Sequence, residues 1–112
     1  MKTRWILKTN AKSEKNAQVL LNQLCRELAV VPSGVEFTGD HYCGHEIRFV
    51  LDESGLGSRA EAFYSLLAQA ERLGNSWVLG RVRAPACGWT TRSRLAGIRR
   101  IEWLELDDRA AG

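Results

Sequence analysis

The densest group of chemically versatile side chains in these 112 residues is Asp40-His41-Tyr42-Cys43-Gly44-His45, which contains an H-x-C-x-H pattern. Imidazole nitrogen and thiolate sulfur are the donors that zinc takes in a closed tetrahedral site. An extended chain advances about 3.3 Å per residue, so His41 and His45 on a straight strand stand about 13 Å apart, beyond a shared ion. A tight turn at Cys43-Gly44 would fold them together but would still need a fourth ligand. The segment reads first as a hairpin turn that uses Asp40 and Gly44, with both histidines on its surface. A Cys-His nucleophilic pair is the second chemistry to weigh, with Cys43 or Cys87 as the thiolate. Nothing in the sequence sets either cysteine beside a base, a helix N-terminus or an oxyanion site. Ser54-Gly55-Leu56-Gly57-Ser58 lies between a strand and a helix, where backbone N–H groups can hold an anion. It lacks the lysine of a P-loop and the third glycine of a dinucleotide fingerprint, and a turn followed by a helix cap explains the same residues. The expectation is a chain with no catalytic residue, no metal site and no cofactor.

Recognition chemistry is better represented. The formal net charge is only +3, yet the charges fall in blocks: +5 over residues 1–26, −6 over 27–71, +7 over 72–101 and −3 over the remainder. The third block holds seven arginines and no acid, together with Trp77 and Trp89. Arginine and tryptophan are enriched at binding hot spots, and polarised charge steers an oppositely charged partner. Arg81, Arg83, Trp89, Arg92, Arg94 and Trp77 are therefore the candidate partner-binding residues. The bland alternative is that Trp77 and Leu79 are covered by the following loop and that the arginines are solvated edge charges.

The elements that must position these residues follow from periodicity. Thr3–Thr9 reads as a strand, with Trp5 and Leu7 on one face and Arg4, Ile6 and Lys8 on the other. Ala17, Leu20, Leu21, Leu24 and Leu28 make the buried stripe of a helix from Ser13 to Ala29, with Ser13 as N-cap and Pro32 beyond its end. Val35–Gly39 and His45–Leu51 are the next two strands. Ser58 and Glu61 form a capping box, opening a helix that carries Phe63, Leu66, Leu67, Ala70 and Leu73 on one face and stops at Gly74-Asn75. Trp77–Arg83 is a fourth strand, Ala84–Gly97 a long loop, Ile98–Leu106 a last strand, and Asp107–Gly112 a frayed polar tail.

This order predicts a single α+β domain over residues 1–106. It is ferredoxin-like, a βαββαβ two-layer sandwich plus a C-terminal strand, with both helices on one face of an antiparallel sheet. The expected strand order is 4-1-3-2, with the last strand extending the edge beside strand 4. The open face would then show Arg4, Ile6, Lys8, Trp77, Leu79, Arg81 and Arg83. A hydrophobic content of 45% excludes intrinsic disorder. No apolar run approaches a membrane span, and the N-terminus has no secretory core. Cys25, Cys43 and Cys87 are odd in number and contain no C-x-x-C pair, which points to free thiols and the cytoplasm, with Cys25 packed beside Leu21 and Leu28. The leading expectation is a non-enzymatic protein-binding module, such as an inhibitor or immunity-type protein that neutralises a partner with an acidic surface; self-association is a variant. A nucleic-acid-binding domain using the same arginines is the alternative, although His45–Leu51 lacks the signature strand of the RNA-recognition motif. A small ligand sensor or enzyme comes third.

Overall fold

The computed structural model describes residues 1–40, 43–52 and 57–106. β1 (Lys2–Thr9) buries Thr3, Trp5, Leu7 and Thr9 and exposes Lys2, Arg4 and Lys8, following the alternation of its sequence. α1 (Glu14–Leu28) starts at Ser13, whose hydroxyl accepts the Asn16 N–H at 3.2 Å, and buries Ala17, Leu21, Leu24 and Leu28. It ends at Ala29 in the left-handed conformation, φ +55°, with the Ala29 N–H turned back onto helix carbonyls.

β2 (Ser33–Asp40) and β3 (Gly44–Asp52) form an antiparallel pair. Gly44 has φ +91°, and a Cβ there would run into the Thr9 carbonyl, so the return into β3 needs glycine on both counts. α2 (Arg59–Leu73) is capped by Ser58, which accepts the Glu61 N–H at 3.2 Å, and buries Ala62, Leu66, Ala70 and Leu73. The chain continues through β4 (Gly74–Asn75), β5 (Val78–Arg81), β6 (Cys87–Thr90), β7 (Arg92–Ser93) and β8 (Ile98–Glu105).

Six strands make one antiparallel sheet in the order β2-β3-β1-β8-β6-β5, and β4 and β7 form a separate short ladder. The architecture is α+β, two helices with a six-stranded sheet, consistent with a two-layer sandwich. Two expectations are corrected. The place beside β1 belongs to Ile98–Glu105, not to the strand expected over Trp77–Arg83, which shortens to Val78–Arg81 and lies at the far edge. The expected loop 84–97 contains β6 and β7.

Burial explains the exchange. A central strand must offer an apolar face to the helices, and β8 offers Ile98, Ile101 and Trp103, all buried. Val78–Arg81 is exposed at every position and can serve only as an edge. In the core, Trp5 sits opposite Trp103 across the β1–β8 pair and stacks on Phe49 with ring centroids 6.3 Å apart, while Phe63 of α2 meets Trp103 edge-on at 6.2 Å.

Candidate functional site

The face of the sheet away from the helices can be read from the register. Ile6 lies opposite Arg48 on one side and Glu102 on the other, Arg4 opposite Val50 and Leu104, and Lys8 opposite Glu46 and Arg100. Further out, Trp89 faces Glu102 and Val78, and Cys87 faces Leu104 and Arg81. Arg48 pairs with Glu46 at 2.8 Å, and Arg100 pairs with Glu102. The Arg100 guanidinium also lies over the Trp89 ring, 5.6 Å from its centroid. Arg4, Lys8 and Arg81 make no ion pair with another described residue. An open depression of about 290 Å³ occupies this face, lined chiefly by Ile6, Cys87, Trp89, Arg100, Glu102 and Leu104. A half-buried aromatic among aliphatic side chains, with charged residues around it, can supply contact area at its centre and charge selection at its rim.

The six candidate residues divide into two groups. Arg81 and Trp89 share this open face on neighbouring strands, and Arg83 is exposed just beyond β5. Trp77 is not on the open face, contrary to expectation. Its indole N–H donates to the Ala70 and Gly74 carbonyls at 2.9 and 3.2 Å, so α2, rather than the following loop, holds it. Arg94 belongs to the same corner, donating Nε–H to the Glu71 carbonyl at 3.1 Å and its terminal N–H to the Asn75 side-chain oxygen. Both satisfy acceptors at the C-terminal end of α2, where a cation also complements the helix dipole. Arg92, on β7, is exposed opposite Asn75. Leu79 is likewise turned from the open face. With Trp77 and Trp103 it lines a groove of about 220 Å³ against Leu67, Ala70 and Glu71 of α2.

Sequence reasoning missed the pair Arg59–Glu105. The nearly buried Glu105 carboxylate accepts Arg59 Nε–H and a terminal N–H at 3.0 and 2.8 Å, and the Ala86 N–H at 2.9 Å. Arg59 also donates to the Val82 carbonyl at 3.0 Å and lies over the Phe63 ring. The Arg59 hydrogen bond holds the Glu105 carboxyl below its ordinary value despite burial, and Arg59 is raised in return. Two local anomalies point to this pair. An arginine occupies the first position of a helix, where acids are favoured, and Glu105 continues the inward alternation of Ile101 and Trp103.

The other candidates separate. His41, Ser54, Gly55 and Leu56 lie outside the described residues, as does the 107–112 tail. His45 Nδ1 is 3.0 Å from the Ala11 carbonyl, and the Cys43 carbonyl accepts from Arg99 at 3.0 Å. Among the described residues no group of three or more His, Cys, Asp or Glu side chains could hold a metal ion. Cys25, Cys43 and Cys87 form no disulfide with one another, and burial pushes the Cys25 thiol up. No described helix is long and apolar enough to cross a membrane. Comparison of the chain with family models, curated proteins and solved structures found no match.

Proposed function

We propose that the protein is a non-enzymatic binding module that recognises a partner protein carrying an acidic surface, and that it does so with the β8-β6-β5 end of its sheet. One observation carries this reading: the uncovered depression around Trp89 joins apolar Ile6 and Leu104 to Arg100, and beside it on the same face stand Arg4, Lys8 and Arg81, which make no ion pair among the described residues. Protein interfaces favour an apolar, aromatic centre with a polar rim. The neutralising, immunity-type role and the ferredoxin-like classification belong to the same proposal. Their support is the small single layer of helices on an open sheet and the chain order β2-β3-β1-β8, in which β8 stands where a fourth strand is expected.

Affinity capture from native lysate tests the reading. Wild-type protein is expected to retain a discrete protein that cross-links to the β6–β8 face, and Trp89→Ala combined with Arg81→Glu is expected to lose it with little change in thermal unfolding. Co-elution of nucleic acid, with an affinity that falls steeply with salt, would overturn the reading in favour of the nucleic-acid alternative.

A further inference from the structure

Edge strand β5 has β6 on one side and no described strand on the other. Its flanks are not dressed as a sealed edge. The strand is four residues long and ends in Arg81, but Val78, Leu79 and the following Val82 are exposed at 45%, 41% and 55%, an apolar run left open beside the charge. Alongside the strand runs the groove between β5 and α2, floored by Trp103 and walled by Leu67, Ala70, Trp77 and Leu79. Tyr64, 72% exposed, lies seven residues before the groove-lining Glu71 and therefore on the same helical stripe. An open strand edge beside an apolar groove under a helix is the geometry in which extended peptides add as an extra strand: main-chain hydrogen bonds provide affinity and side-chain pockets provide selectivity. The edge is also held in place, because Arg59 at the start of α2 donates to the Val82 carbonyl and is itself locked by Glu105. A fixed edge lowers the ordering cost of binding.

Charge names the occupant. Arg81 and Arg83 stand at one end of the edge with no ion pair among the described residues, and Glu71, the only acid among the described residues lining the groove, is at the Trp77 end. We infer that an extended, acidic segment of the partner protein pairs with β5 as a seventh strand, setting an apolar side chain against Trp77 and Leu79 and carboxylates beside Arg81 and Arg83. This inference rests on the protein-binding reading above and specifies its mode.

The test uses the full chain, isotopically labelled, with a synthetic array of hexapeptides in which Glu alternates with Val, Ile, Leu, Phe or Trp, and a matched array with Lys for Glu. Acidic members are expected to slow amide exchange over Val78–Arg81, to move the Trp77 indole resonance, and to bind at least tenfold more tightly than their Lys counterparts. In the double variant Arg81→Glu, Arg83→Glu, both changes being at exposed positions, that preference should reverse. Acidic members that perturb only Ile6, Trp89 and Leu104 would overturn strand addition while leaving the binding-module reading standing. Equal binding of the two arrays, or binding of neither, would overturn the inference, and partner capture then judges the broader reading by itself. Protection of β5 in peptide-free protein, with a dimer in sedimentation, would make a second copy the occupant and would equally overturn it.

Discussion

At the scale of single residues, Glu105 is the best test of how charge is used inside this chain. Its carboxylate is nearly buried, yet it receives three hydrogen bonds, two of them from Arg59. A carboxyl held below its ordinary value of 4.5 binds fewer protons folded than unfolded. The stabilisation is therefore present above the unfolded value and is lost as pH falls through the folded one. Glu105→Gln is expected to cost about 1–3 kcal/mol at neutral pH, with the gap from wild type closing as pH drops below 4.5; urea titrations across pH 2–7 would show this convergence, and a constant gap would refute it. Ala29 offers the opposite sign. At φ +55° its Cβ is strained where glycine is at ease, so Ala29→Gly should stabilise by about 0.5–1 kcal/mol, read from the midpoint of the same titrations.

At the scale of elements, the end of α2 depends on its attachment to β7. Leu73 accepts the Arg94 N–H at 2.7 Å, Thr90 Oγ1 donates to the Asn75 carbonyl, and Gly74 is opposite Ser93. Gly74 has extended backbone, so space rather than φ is what it supplies. A Cβ there would lie 2.9 Å from the Arg92 carbonyl and 3.0 Å from Thr90 Cγ2. Gly74→Ala is expected to part β4 from β7 at a cost of about 1–3 kcal/mol and to speed exchange of the Arg94 amide, while Ala62 and Leu66, earlier in α2, keep their protection. β6 shows why an element can be hidden from periodicity. Its inward position between Cys87 and Trp89 is Gly88, where a Cβ would meet the Trp103 indole at 3.0 Å. The bulk that fills this place comes from β8, so Cys87–Thr90 carries no alternating apolar signal of its own.

At the scale of the whole molecule, the charge blocks survive folding in part. β2 and β3 bring Glu36 and Glu46 to one end of the sheet and the arginine-rich 72–101 block to the other, but Glu102 enters the basic half and pairs with Arg100. Arg4, Lys8, Arg81 and Arg83, which make no ion pair among the described residues, are exposed. Raising salt from 0.1 to 1 M shortens the screening length from about 10 to about 3 Å. Association with an acidic partner should therefore slow by about tenfold or more while dissociation changes little. Stopped-flow rates would check this, and the salt dependence should shrink in Arg81→Glu, Arg83→Glu.

Both helices were legible in the chain because their causes are local. Ser13 and Ser58 cap them, and apolar residues at helical spacing define their buried faces within fifteen residues each. The inward face of β1 was legible for the same reason. Strand order was not, since it depends on which distant segment best covers β1, and the burial of Ile98, Ile101 and Trp103 outweighs the shorter path from α2 to Val78. The candidate surface divided for a related reason. Composition and spacing pick out Arg81, Trp89, Trp77 and Arg94 alike, because all are cations or aromatics in one acid-free stretch. Only the packed molecule separates the first two, left on the open sheet, from the last two, held by carbonyls at the end of α2.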